Sequence, residues 1–428
     1  MKKYSLLLVL IVVLFLIKGF LLVFLTPPWE APDESAHVSY VWYLYNFKKL
    51  PSKFTPFIPT SIEKSLKSRK NIIRDDLFDR YNRSLEKKSV EIGSHPPLYY
   101  LYLLPFYRIS LLFNSYTTLI ILRFATLILA VVSIVFTFLI AKKILNNSLA
   151  LLTAALVAFQ PMFSFIGSIV NNDMMVVVFF LFIVFISLQL LKRFDEKTYI
   201  MSLLTVAFAP LVKPQLLIVF PLFLILAIMI RKKKQWIFLF YLSFIPTILW
   251  FGFQYFRYGK SIFTYSVQNA LPGTTSPFLY PIEFIMQKQP VGIFMSFWGY
   301  FGWLDLPMPK WLYGLIFLII MISLFGWVKS LKDFRLPKLS RTAFFLCTAF
   351  FLYLASIFIF DIQVFMLSRK FVIHGRYLLP VLPLLLVFLV KGLSRYQTYR
   401  RFLYLLFFSI ILLAQIVAIF TIKNFYYG

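Results

Sequence analysis

The sequence predicts an all-α polytopic membrane protein, a bundle of about eleven transmembrane helices whose external first loop carries juxtamembrane helices. Three observations predict it. Of 428 residues, 61% are hydrophobic and 14% charged, and the mean hydropathy is +0.82, so most of the chain belongs in lipid. Apolar runs of bilayer length recur from one end to the other. Short basic clusters punctuate them, as the positive-inside rule requires of cytoplasmic loops. The net charge of +28 would also suit a nucleic-acid partner, but many of the cations sit at the ends of apolar runs, where they set topology and meet anionic headgroups. Nucleic acid is therefore not an expected partner. The single cysteine, Cys347, lies in an apolar run and reads as a small buried hydrophobe.

Tyr4 to Leu25 is almost purely apolar and, at about 1.5 Å per residue, crosses a bilayer. Pro27-Pro28-Trp29 follows it instead of a small-residue cleavage site, so it reads as a retained anchor. Thr26 to His95 is polar and holds nine of the sixteen acidic residues, with an amphipathic stretch from Val38 to Phe47 that reads as a helix lying on the membrane. Leu98 to Phe113 is short, contains Pro105 and carries Arg108, and is expected to be embedded without crossing. The spans then run from about Leu119 to Ala141, Leu149 to Phe165, Met174 to Leu191, Thr198 to Val212, Gln215 to Ile230 and Gln235 to Tyr255. Four more run from about Trp311 to Val328, Thr342 to Phe360, Tyr377 to Val390 and Phe402 to Ile422. The chain divides accordingly into a first helix (1–25), an external loop (26–118), a group of spans (119–256), an external aromatic loop (257–310) and a C-terminal group of spans (311–428).

With these spans, Lys2-Lys3, Lys142-Lys143, Lys192-Arg193, Arg231 to Lys234, Lys329 to Arg341 and Lys391 to Arg401 all fall inside. A multi-pass protein of the plasma membrane is the expected setting. All three histidines, His37, His95 and His374, then lie outside. Of the acidic residues only Asp195, Glu196 and Asp333 remain inside. Chemistry on the external face is the expectation.

The chemistry-bearing stretches lie at that face. In Pro32-Asp33-Glu34-Ser35-Ala36-His37, Pro32 suits the first turn of a helix, and Asp33 and Glu34 sit where the helix dipole favours carboxylates. Asp33 and His37 are one turn apart, a carboxylate and an imidazole on one face, which suits a general base and equally suits a capped surface helix. His95, in Ser94-His95-Pro96-Pro97-Leu98-Tyr99-Tyr100, is a candidate ligand at the interface. Asn172-Asp173 opens a span, either as a cap or as a second acid converging on Asp33. Lys213 opposes the charge bias and so either has an anionic partner or snorkels. Asp305 closes the aromatic run Phe297 to Leu304, which suits a sugar site and a membrane interface alike. His374-Gly375-Arg376-Tyr377 puts cations at a helix mouth, again against the bias, and fits a phosphate clamp.

Taken in order, Pro32-Asp33-Glu34, His95-Pro96-Pro97-Leu98-Tyr99-Tyr100, Asn172-Asp173, Lys213-Pro214 and Gly375 to Pro380 resemble the GT-C type of polyprenyl-phosphate-sugar-dependent membrane glycosyltransferases. That group includes the protein O-mannosyltransferases and the aminoarabinose transferase of lipid A. The likeness covers residues 5 to 395. It departs at Glu34 to His37, where many members continue with tyrosines, and in the lack of room for a large C-terminal soluble domain. The resemblance implies that Asp33, with Glu34 beside it, acts as catalytic base, that Asp173 helps form an acceptor or metal site, and that Arg376 and Lys213 hold the polyprenyl phosphate. His37, His95, Asp305, His374 and Tyr377 are then candidate substrate contacts, and Trp29, Tyr99 and Trp303 candidate stacking faces. The implied partners are a polyprenyl-phosphate sugar donor and a lipid, glycan or protein acceptor. A divalent metal is left open, because the acids and histidines show no metal-ligand spacing. The rival class is a transporter or lipid-linked sugar flippase, which needs ionisable residues near the bilayer midplane and repeat-related broken helices.

Overall fold

The computed structural model describes residues 2–52, 59, 62, 92–230, 239–259, 276–332 and 340–428. It is a helical bundle, and its one sheet among these residues is a two-stranded hairpin, Tyr300–Phe301 paired antiparallel with Leu306–Pro307. Eight helices are long and apolar enough to cross a membrane. A bent pair, α5 (Asn147–Phe159) and α6 (Pro161–Gly167), meets at 64° and makes a ninth when its two helices are counted together. All eleven expected segments are helical over their described residues, yet two fall short of span length. One is α8 (Glu196–Phe208) with a single 3-10 turn after it, and the other is Pro214–Ile230, which is part 3-10 and part α9 (Val219–Ile230). The two prolines, Pro210 and Pro214, are the cause, since neither can donate the backbone bond that would fuse the turns into one long helix.

The bundle is built on α4 (Ser115–Ala141), which packs against α1 (Lys2–Leu25), α5 and α7 (Asp173–Lys192). Buried polar side chains in α4 loop back onto their own helix: Ser133 and Thr137 donate to the carbonyls four residues earlier. Leu, Phe and Ile lie exposed along the outer faces of α1 and of the late helices, the pattern of a surface solvated by lipid. α2 (Glu34–Phe47) docks on α3 (Leu98–Ser110). At 13 residues, α3 is too short to span, as expected from Pro105 and Arg108. Most of the first loop between them lies outside the described residues.

Two boundaries differ from the sequence expectation. Pro32 is not in the first turn of a helix, because Asp33 adopts φ 62° and α2 begins at Glu34. A left-handed residue ends any helical run behind it. α14 (Arg341–Ser368) runs eight residues past Phe360, so Asp361 is not a loop acid but a fully buried one. It stays buried because every lone pair it needs to satisfy is met: Val372 and Ile373 donate their backbone N–H groups and Tyr280 its hydroxyl.

The external aromatic loop is itself structured over 276–309. It holds α11 (Leu279–Met286), α12 (Gln289–Gly299) and the hairpin. A 3-10 helix, Gly375–Val381, lies against α12 and against the N-terminal part of α7. Gly375 is required there: a Cβ would fall 2.0 Å from the backbone nitrogen of Phe297. Its own N–H donates to Ser296 Oγ at 2.8 Å. That close approach carries Arg376 to the mouth of α7.

Candidate active site

Four charged side chains from four separate parts of the chain meet at this mouth. Arg376 Nη2 donates to Asp33 Oδ2 at 2.9 Å, and its Nε lies 3.7 Å from Asp173 Oδ2. Lys213 Nζ donates to the other oxygen of Asp173 at 2.5 Å, so the anionic partner required by its position is Asp173. The ring of Tyr377 backs both cations, 4.7 Å from Lys213 Nζ and 5.3 Å from the Arg376 guanidinium carbon, a cation–π arrangement. Two carboxylates and two cations cancel, so the cluster is neutral as a whole. It is not saturated, for Arg376 Nε and Nη1 and Asp173 Oδ2 are buried with no hydrogen-bond partner among the described residues.

Each member is held by local structure. Asp33 is fixed by its left-handed backbone, which Asp tolerates better than most residues, and its carbonyl accepts the N–H of His37 at 3.0 Å. Asp173 is the first residue of α7, and its N–H donates to Asn171 Oδ1 at 2.7 Å. Asn172 occupies the cap position without capping. Instead its side chain reaches His95 Nδ1 at 3.4 Å.

A hydrogen-bonded line of two imidazoles and a phenol adjoins the charges. His37 Nδ1 is 3.0 Å from the Tyr100 hydroxyl, which is 3.3 Å from His95 Nδ1. Tyr40 stacks on Tyr100 with ring centroids 3.6 Å apart. Burial, followed by the nearby His95, pushes the His37 pKa down to about 3 against the opposing pull of Asp33. His37 is therefore a neutral imidazole at any physiological pH. Burial likewise raises the Tyr100 hydroxyl well above its usual range, so it serves as a hydrogen-bonding group and not as a phenolate.

Glu34 is taken up in a different contact from its neighbour Asp33. Its carboxylate is fully buried against Arg123, with bonds of 2.8 Å from Nε and 2.6 Å from Nη2. It also accepts the N–H groups of Val170 and Trp29. Arg123 completes its fork on the carbonyls of Val23, Thr26 and Pro27, where α1 ends. The pair ties the end of α1, the start of α2 and the link between α6 and α7 together. That is the work of a brace.

The remaining sequence candidates are placed as follows. His374 is half-buried, with its ring 5.7 Å from Tyr377. Asp305 sits in the hairpin turn, within electrostatic reach of Tyr426 and in the neighbourhood of Glu30. Trp29 and Tyr99 are buried, and Tyr99 bonds Thr126, so neither offers an open stacking face. Trp303 is half-buried. Among the described residues no three His, Cys, Asp or Glu side chains form a metal-binding group; Asp33 and Asp173 face cations.

Sequence reasoning missed Arg123, Asp361 and the role of Gln160. Gln160 stands at the break between α5 and α6, where its Oε1 caps Phe163 N and its amide donates to the carbonyl of Phe297. The signal was available for the two charges: an ionisable residue inside an apolar run must have a partner. The partner's identity was not, because Glu34 lies 89 residues from Arg123.

A family model described as "Predicted membrane protein (DUF2142)" matches residues 15–385. No curated protein sequence matches the chain. Among solved structures, ArnT from Cupriavidus metallidurans in the apo state is similar, at 14% identity over 98% of this chain and 75% of that one, with a TM-score of 0.49. The Archaeoglobus fulgidus oligosaccharyltransferase, solved with Zn and sulfate, is 12% identical over 96% of this chain and 53% of that one, with a TM-score of 0.50. The chain spans about half the length of that enzyme and shares its fold, the GT-C type of helical bundle. The match over most of its length shows that this chain belongs to the DUF2142 family of membrane proteins.

Proposed function

We propose that the protein is a membrane glycosyltransferase that moves a sugar from a polyprenyl-phosphate-linked donor to an acceptor hydroxyl on the outer face of the plasma membrane, with Asp33 as base. The observation that carries this reading is the meeting of Asp33, Asp173, Lys213 and Arg376. Asp173 and Arg376 stand at the first or second residue of apolar spans, the depth at which a lipid carrier presents its phosphate. The shared fold with an oligosaccharyltransferase supports the reaction class. The basic clusters between spans favour the external side for this end of the bundle.

The transfer needs three things, and the cluster offers each. Asp33 takes the proton of the acceptor hydroxyl as its oxygen bonds the anomeric carbon. The bond from that carbon to the phosphate oxygen breaks, and its electron pair leaves with the polyprenyl phosphate. Arg376 and Lys213 stabilise the charge that grows there, a role for which arginine's two-pronged donor geometry is suited. Attack from the side opposite the phosphate inverts the anomeric centre. Asp173 orients Lys213, and Tyr377 keeps the two cations together. His37, Tyr100 and His95 supply hydrogen bonds beside the base, Glu34 holds Asp33 in place from its brace, and Asp305 and His374 are further substrate contacts in this reading.

A transporter or flippase would use ionisable residues along a path through the bilayer. The buried ones here are engaged by the protein itself: Lys18 by Ala158, Ser164 and Gln415, Arg123 by Glu34, and Asp361 by Tyr280 and two backbone groups. That favours the transferase. The test is sugar transfer in membranes supplied with a polyprenyl-phosphate sugar. Asp33→Asn is expected to lower the rate by about 10²- to 10⁴-fold, the usual contribution of a general base, with insertion unchanged. Undiminished transfer would remove Asp33 as base.

A further inference from the structure

We propose that the clamp is closed by the protein's own carboxylates, so that the donor phosphate must displace Asp33 from Arg376 before Asp33 can accept a proton. Donor binding thereby arms the base and precedes productive acceptor binding. The inference rests on the phosphate-clamp reading above and concerns how that site is regulated.

The argument begins with charge. Two carboxylates face two cations, with contacts of 2.9 Å between Asp33 and Arg376 and 2.5 Å between Asp173 and Lys213. A carboxylate oxygen bonded to a guanidinium has committed the lone pair that would take a proton. Asp33 as it stands is a quenched base. A phosphate brought to Arg376 competes for the same donors, and because it spreads more charge over more oxygens it is the stronger partner for a planar fork.

The exchange has a way to begin. Arg376 Nε and Nη1 are buried with no hydrogen-bond partner among the described residues, while Nη2 is committed to Asp33. Phosphate can engage Nη1 and Nε, the latter held only by its 3.7 Å ion pair with Asp173, before the donor shared with Asp33, so the guanidinium never passes through an uncompensated state. Lys213 is bonded to Asp173 through a single oxygen, Oδ1, and has further donors to give. Asp173 is pinned by the helix it starts. Asp33 precedes α2 and is bonded to Arg376 through one carboxylate oxygen, Oδ2, so rotation of its side chain on a fixed backbone separates the two. Released from Arg376, its Oδ2 lone pair is available beside a phosphate-linked sugar. An acceptor alone meets no base.

The experiment measures binding and needs no turnover. The full chain in phosphatidylcholine nanodiscs is titrated with a polyprenyl phosphate and, separately, with inorganic phosphate. The wild type is expected to prefer the lipid by at least tenfold, and Arg376→Gln to lose at least tenfold in affinity for it. If the wild type binds neither, or Arg376→Gln binds as well as the wild type, the clamp reading itself falls. Equal affinity for inorganic phosphate would overturn the lipid-linked donor. Removing the competing carboxylate gives the deciding result: Asp33→Asn and Asp33→Ala should bind polyprenyl phosphate about tenfold more tightly than the wild type. Glu30→Gln, which neutralises another acid of the same loop, should leave the affinity as it was. Unchanged or weaker binding in both Asp33 variants, with the Arg376 effect intact, would overturn displacement while leaving the clamp standing. An equal gain in Glu30→Gln would also overturn it, by showing a diffuse charge effect. Unfolding midpoints confirm that each variant is folded.

Discussion

Glu34→Gln separates the brace from the base. The Glu34 and Arg123 side chains are both fully buried, and every bond at the pair is accounted for. Arg123 Nε and Nη2 rely on Glu34, as do the N–H groups of Val170 and Trp29. Glutamine keeps one acceptor oxygen but turns an NH₂ toward donors, and it leaves a buried guanidinium facing only the carbonyl dipoles of Val23, Thr26 and Pro27. Breaking a buried pair by removing one partner costs about 3–5 kcal/mol, because the surviving charge loses its compensation. The replacement is close to isosteric, so cavity formation adds little. The assay is reversible unfolding in mixed detergent micelles, followed by helical circular dichroism. The double variant Glu34→Met with Arg123→Met should recover part of the loss, since it removes the uncompensated charge but still leaves the N–H groups of Val170 and Trp29 without the acceptor they now use. A loss below about 1 kcal/mol in the single variant, or no recovery in the double, would refute the brace and return Glu34 to the chemistry beside Asp33.

Three further predictions follow from the same contacts. His37 is buried with its pKa lowered to about 3, whereas an unfolded histidine titrates near 6.5. The unfolded state therefore binds the proton first, and the stability His37 confers is complete above about pH 6.5 and is lost as pH falls toward 3. At pH 5 the loss is about 2 kcal/mol, and His37→Asn should flatten the stability profile between pH 7 and pH 5. Gly375→Ala drives a methyl into the backbone of Phe297, which cannot yield as a side-chain tip would. It should cost about 1–3 kcal/mol and weaken polyprenyl phosphate binding with Arg376 still present. Asp361→Asn removes the charge that anchors Val372, Ile373 and Tyr280. It should cost about 1–3 kcal/mol, with faster amide exchange localised at residues 372 and 373.

How far the sequence spoke can be judged residue by residue. Hydropathy and cation placement revealed a polytopic bundle, because a bilayer leaves the chain few alternatives. Lys213 and Arg376 stood out for the same reason: each is a cation on the wrong side of a charge rule. What hydropathy could not supply was pairing. Arg123 and Glu34 carry no local mark of each other, and Asp361 read as a loop acid only because a window average ends a span at the first charge it meets. The eleven-span count treated Thr198 to Val212 and Gln215 to Ile230 as full crossings. Pro210 and Pro214 break these two segments into a shorter helix and 3-10 turns, so neither is a single helix of span length, although the Lys213–Asp173 bond brings the end of the first back to the mouth of α7. Pro32 was credited to a helix that the dihedral of Asp33 forbids.

Lys18 moors α1 to segments far along the chain. Its ammonium bonds the Ala158 carbonyl set free where α5 breaks, together with Ser164 and Gln415. Those groups follow it by 140, 146 and 397 residues. An ionisable side chain within a lipid-facing span is costly unless the protein itself supplies its partners, and all of these partners come from elements far away along the chain. The kink is thus a mooring point: the carbonyl that the break leaves over is what lets α1 carry a polar group inside the bundle.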